Sequence, residues 1–226
     1  MRGCVFLLAI LFVFPSARAI EMIGKATFKD QLLYTEKHSA IVDKEGFYRN
    51  LVTNYLDSNG QIFAKIQSNF DKNKIVPDYE FQDYRQKLRE KVTLEPSGQK
   101  INIEFEKAGK IENNTLEIKK NSVLSQGFHN FILSQFKNLA DKKLEVYFVV
   151  TNRSDQYKFV VQNEKIEAGK MFISIKPANF FLNAIVPTIK LVYEIESRRL
   201  LTFEGLTNID DSNGKTLTAK IDYTYQ

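Results

Sequence analysis

The chain has 226 residues, 32 Lys and Arg against 27 Asp and Glu, and a formal charge of +5. The two signs are interspersed along the sequence, and local runs such as Asp71–Lys74 are mixed. A nucleic-acid binder would carry a basic stripe, so that class of partner is excluded, and the single cysteine, Cys4, rules out a disulfide framework or a thiolate metal site.

At the N-terminus, Arg2 precedes an unbroken apolar run from Val5 to Phe14, followed by Pro15 and the small-residue pattern Ala17-Arg18-Ala19. This reads as a secretory signal peptide over residues 1–19, cut after Ala19, because the run is only half of the roughly 20 residues a bilayer span needs. Cys4 lies ahead of the run, where it cannot serve as an acylated lipoprotein cysteine. Removing 19 of the 226 residues leaves 207 and, with Arg2 and Arg18 gone, a charge of +3. The mature chain is then expected to be one domain, residues 20–226, with no membrane span. Its expected location is the periplasm of a Gram-negative bacterium, with an extracellular location as the alternative.

Most of the remaining chain alternates apolar and polar residues with period 2, the pattern of half-buried strands. Gln31–Val42 places Leu32, Tyr34, Ala40 and Val42 on one face. After the turn Asp43–Gly46, Phe47, Leu51 and Tyr55 share a side, and after Asp57–Gly60 so do Ile62, Ala64, Ile66 and Phe70. Tyr79–Leu94 mixes the helical spacing of Leu88 and Val92 with aromatic and β-branched residues, and reads as extended. Ile101, Ile103 and Phe105 alternate cleanly, and Asn113–Lys120 pairs behind them.

The period changes once, over Ser122–Lys143. Leu124, Phe128, Phe131, Ile132, Gln135 and Leu139 fall on one helical face, with Ser122 as the expected N-cap. Strands resume over Lys143–Asn152, Tyr157–Glu167 and Met171–Pro177. An apolar connection runs to Pro187, and Thr188–Glu196, Arg199–Ile209 and Thr216–Tyr225 complete the pattern. The expected fold is therefore mainly β: a large curled antiparallel sheet or half-open barrel of about ten or eleven strands, with one amphipathic helix packed on or in it.

The string Asp-Ser-Asn-Gly occurs twice, at Asp57–Gly60 and Asp211–Gly214. A calcium loop would need an oxygen ligand five residues before its glycine, where Tyr55 and Ile209 stand, so that reading fails. Both strings are expected to be type I′ hairpin tips. Apolar residues follow the first glycine at even offsets and the second at odd ones, so the strands leave on opposite phases or the second loop takes in Lys215.

No G-x-S-x-G elbow is present, and the two histidines, His38 and His129, lack metal-ligand spacing. No cofactor is expected. Glu80, Asp83 and Arg85 form a candidate polar cleft in an aromatic, Pro-bounded stretch, with an Asp83–Arg85 ion pair as the simpler reading. With eighteen Phe and ten Tyr, Phe128, Phe131, Ile132, Phe136, Phe180 and Phe181 are candidate linings of an apolar ligand cavity, against the alternative of a packed core.

The stretches LLYTEKH, YLDSNGQIFAKI and VPDYEFQDYRQ, and the closing PTIKLVYEIESRRLLTFEGLTNIDD with AKIDY, resemble uncharacterised exported bacterial proteins. Those proteins resemble in turn the half-barrel of Lol-type periplasmic lipoprotein carriers. The resemblance implies a periplasmic protein that handles lipid or lipoprotein, and it transfers no site residues. An outer-membrane β-barrel or structural envelope protein is the alternative function, and a hydrolase built on Glu80, Asp83 and Arg85 a third.

Overall fold

A computed structural model describes residues 17–226; residues 1–16 of the expected signal peptide lie outside the described residues. Fifteen strands form one sheet. The first eight, β1 (Arg18–Phe28), β2 (Gln31–Val42), β3 (Tyr48–Leu56), β4 (Ile62–Asn69), β5 (Asp78–Asp83), β6 (Leu88–Leu94), β7 (Lys100–Lys107) and β8 (Lys110–Glu117), are an antiparallel meander. After the two-residue β9 (Ser122–Val123) comes the helix α1 (Gly127–Leu139). A second meander follows: β10 (Leu144–Val150), β11 (Asp155–Glu167), β12 (Lys170–Pro177), β13 (Ile189–Glu194), β14 (Leu200–Asp210) and β15 (Thr216–Tyr225), with a short helix α2 (Phe180–Ile185) between β12 and β13. Pairing of β1 with β15, from Met22 opposite Tyr225 to Thr27 opposite Lys220, joins the two meanders. The strand order ends at β8 on one side and β9 on the other, so the sheet is curled and unclosed.

The expected architecture is present with more strands. Tyr79–Leu94 is extended but folds back through residues 84–87 into β5 and β6, and β1 and β9 are additional. The apolar pattern of β1 is faint because its inward positions include Gly24 and Ala26. A Cβ at Gly24 would lie 2.8 Å from the Tyr223 ring and 2.9 Å from Ile221, so the missing side chain is what lets β15 close in.

Bulges correct three face assignments, since one extra residue flips everything beyond it. Between β1 and β2 the register shifts beside Leu33, leaving Leu32 exposed while Tyr34 stays buried. Arg49 is extra in β3, so Tyr48 rather than Phe47 takes the inward place. Phe63 is extra in β4, turning Ile62 outward and Phe63 inward.

Both Asp-Ser-Asn-Gly segments are hairpin tips, but not of type I′. Only the glycines take positive φ, +79° at Gly60 and +77° at Gly214. Gly60 N–H donates to Asp57 O, and the Asp57 carboxylate accepts from the N–H of Asn59 and Gln61. Asp211 repeats the arrangement with Gly214, Asn213 and Lys215. Each is a type I turn closed by a left-handed glycine, stabilised by an Asp side chain. The loops are the same, so the phase difference arises in the strand that follows the first tip, where the bulge at Phe63 shifts parity.

Strand direction sorts the connections into two ends. Residues 43–47, 70–77 and 195–199 lie at one end, and α1 plugs it. Asn130 accepts from Tyr48 N–H at 2.8 Å and donates to Tyr48 O and Lys74 O. α1 begins at Gly127, not at Ser122. Ser122 is buried in β9 and bonds Gln156, and a Cβ at position 127 would sit 2.2 Å from Ile75 O. Phe131, Ile132, Phe136 and Leu139 pack on Val146, Val161, Ile173 and Leu191. A second core, including Tyr34, Tyr55, Ile66, Phe81 and Ile103, fills the curl of the first meander.

Two outcomes follow for stability. Gly127→Ala should destabilise the fold by about 2 kcal/mol in urea unfolding, since backbone must move to admit the methyl group. The His129 ring stacks 4.5 Å from that of Tyr48, and its Nδ1 lies 3.0 Å from the Tyr193 hydroxyl. Burial pushes its pKa down to about 4, from an ordinary value of 6.5. Its contribution is therefore complete above the unfolded value and is lost as pH falls from there toward 4. Unfolding free energy should drop by about 2 kcal/mol between pH 7 and pH 5, and by much less in His129→Phe measured side by side.

Candidate functional site

The end opposite α1 is the mouth. There the hairpin tips of β3–β4 and β14–β15 meet the β5–β6 turn, and a cleft of about 410 Å³ opens among Leu33, Tyr34, Ile62, Phe63, Ile209 and Leu217, with Arg85 at its edge. The bulges put these side chains there: one makes Phe63 inward, and a wider one in β14, between Leu206 and Asp210, folds Ile209 into the curl, where it is fully buried.

Arg85 is held on three sides. Its Nε and one terminal nitrogen donate to the two Asp83 carboxylate oxygens at 3.1 and 2.6 Å, and that nitrogen also donates to Asp210 O at 3.1 Å. The guanidinium lies 4.0 Å over the Phe63 ring. Gln86 donates to Asp211 O at 3.3 Å. These bonds bind the β5–β6 turn to the β14–β15 tip across the mouth, although six places separate β5 from β14 in the sheet. Thr151, in the connection after β10, makes a further cross-tie by donating to Glu90 at 2.6 Å; burial pushes the Glu90 carboxyl above its ordinary value.

Among the described residues, two buried side-chain polar atoms lack a hydrogen-bond partner: the Tyr34 hydroxyl and Asn163 Oδ1. Tyr34 lines the cleft, and burial pushes its phenol well above the ordinary value. The hydroxyl itself is enclosed, so what the cleft offers a ligand is its apolar wall and the cation at its edge.

The candidate residues from the sequence are dispersed. Asp83 and Arg85 form the ion pair at the cleft edge. Glu80 sits on the other face of β5 and accepts from Arg89 at 3.0 Å, where that pairing holds its carboxyl below the usual range against the opposing effect of burial. Phe131, Ile132 and Phe136 are core residues around α1, and half-buried Phe128 packs on Phe148 with ring centres 5.0 Å apart. Phe180 and Phe181 stand on α2, exposed. Four of the six aromatic and aliphatic candidates thus come together in the packing around α1, apart from Phe180 and Phe181.

A buried polar chain runs through His38. His38 Nε2 lies 2.9 Å from Glu36, and its Nδ1 2.7 Å from Thr53 Oγ1. Gln126 donates to Thr53 at 2.7 Å and accepts from Ser68, and Tyr223 donates to Glu36 at 3.2 Å. Nε2 faces the Glu36 carboxylate, and the Thr53 hydroxyl links Nδ1 to the Gln126 amide. The order of acid, imidazole and hydroxyl is that of a nucleophilic relay, but Thr53 is wholly enclosed, so no substrate reaches its oxygen. The chain is a strut joining β2, β3, β4 and β15 to the start of α1. The signal was present as Glu36 and His38 on the parity of Tyr34; Gln126 and Ser68 had none.

No three His, Cys, Asp or Glu side chains are grouped to hold a metal among the described residues, and no described helix is long and apolar enough to cross a membrane. Compared with known proteins, the chain matches no family model, no curated protein and no solved structure.

Two substitutions separate strut from receptor. Thr53→Val should cost about 2 kcal/mol, because it strands the Gln126 amide and His38 Nδ1 in the interior. Tyr34→Phe should leave thermal stability unchanged or raise it by about 1 kcal/mol, since the lost hydroxyl has no partner to leave behind; a marked fall in melting temperature would contradict its orphan status.

Proposed function

We propose that the protein is an exported carrier or binding protein for an amphipathic, lipid-like molecule taken up at the mouth cleft. The observation that carries this reading is the pairing, in one cleft, of an apolar wall that includes Leu33, Phe63 and Leu217 with the Arg85 guanidinium at its edge. The volume, about 410 Å³, suits one acyl chain, and the guanidinium suits a carboxylate or phosphate head. The resemblance to Lol-type carriers accords with such a role, relocated from the face of α1 to the opposite end of the curl. Against a membrane-embedded barrel stands the unpaired edge at β8, which hydrocarbon does not tolerate.

Titration with a fluorescent long-chain fatty acid tests the proposal. Saturable one-to-one binding is expected, weakened roughly tenfold by Leu217→Glu, which puts a charge in the apolar wall. Absence of saturable binding, or full binding by Leu217→Glu, would sink the reading.

A further inference from the structure

The large apolar side chains that reach solvent are not spread evenly. At the mouth end, Phe28 and Leu32 flank the β1–β2 turn, Ile62 follows the β3–β4 tip, Tyr84 sits in the β5–β6 turn and Ile111 opens β8, and all are 48–59 % exposed. α2 lies in another connection of that same end and adds Phe180, Phe181 and Ile185, 77–80 % exposed. At the plugged end, the described residues show only Ile41 and Ile166 comparably exposed.

α2 is the extreme case. None of its residues is buried. Its fold is local: the Asn179 side chain accepts from the N–H of Phe181 and Leu182, and Val186 N–H closes on Leu182 O. At 100° per residue, Phe180, Phe181, Ile185 and Leu182 cover an arc of roughly 200°. No charged residue occurs from Pro177 to Ile189, and Lys176 and Lys190 stand at the two borders.

We infer that the mouth end docks on a lipid bilayer surface, with α2 entering the boundary between headgroups and acyl chains. A protein partner that covers one side of a helix leaves the rest of such an arc in water. A fluid apolar medium surrounds it. The other exposed side chains sit on separate convex turns, alternating with polar tips such as Asp57–Gly60 and Asp211–Lys215. A headgroup layer accommodates that mixture, because charged tips remain hydrated while neighbouring apolar tips dip below them. The inference adds a membrane face to the cleft reading and stands chiefly on α2, which lies outside the cleft, while Ile62 and Tyr84 belong to both.

The chain contains no tryptophan, so Phe181→Trp creates a sole reporter at the tip. Its emission should shift to the blue when vesicles of phosphatidylcholine, alone or mixed with phosphatidylglycerol, are added, while a sole tryptophan from Ile166→Trp at the plugged end should not respond. In flotation gradients the protein should rise with both vesicle types and stay bound in high salt, since the attraction is apolar. The double variant Phe180→Asp, Phe181→Asp should partition at least about tenfold less, and Ile41→Asp, Ile166→Asp should match the parent. The inference is overturned if Phe181→Trp gives no shift, if the two double variants lose binding equally, or if salt abolishes flotation. It is also overturned if the Phe181→Trp shift appears without vesicles and grows with protein concentration, which would make a second copy the occupant. Fatty-acid affinity in the α2 double variant should equal that of the parent, so failure of either reading leaves the other separately measurable.

Discussion

The pairing of β1 with β15 is the constraint on which the rest of this structure depends. Each meander can zip locally through short hairpins, but neither alone encloses a core. Joining the first and last strands, about two hundred residues apart in sequence, makes one sheet long enough to curl back on itself. Gly24 makes the approach possible by presenting no Cβ to Tyr223, and the Tyr223 hydroxyl then reaches the Glu36 carboxyl on β2. Formation of this seam is a late and costly step in chain entropy, because its contacts are among the least local in the molecule.

Once the curl exists, its two ends are treated differently. One receives α1, anchored by Asn130 to the backbone of Tyr48 and Lys74 and by the Gly127–Ile75 approach, and the apolar stripe of the helix is used up in packing. The other is tied across by Arg85, Gln86 and Thr151, which leave a cleft instead of a filled core. Polar groups are thus spent on opposite tasks: a fully satisfied strut beneath the plug, and a mouth where one hydroxyl is left over. Apolar exposure follows the same division, with α2 and several turn residues on the mouth side.

Much of the fold was legible because period-2 patterning and Asp/Asn-Gly turns are local signals. The strands from Gln31 onward, the antiparallel class and the one long helix all follow from them. What misled was also physical. Bulges at Leu33, Arg49 and Phe63 shift parity without any mark in composition, so alternation alone puts Leu32, Phe47 and Ile62 on the wrong face. The aromatic residues of α1 carry the same pattern whether they line a cavity or fill one, and only their neighbours on β10–β13 show that they fill it.

By itself, the sequence determined the kind of protein this is at the level of elements: β-rich, one principal helix, no basic stripe, two identical hairpin tips, and an Asp83–Arg85 pair already readable as structural. Tertiary structure alone decided where the site lies. The cleft draws Tyr34 from β2, Phe63 from β4, Arg85 from a turn, and Ile209 and Leu217 from the far end of the chain, positions related by no spacing. They meet because the seam curls the sheet and the bulges rotate them inward, and neither event is written in any single segment.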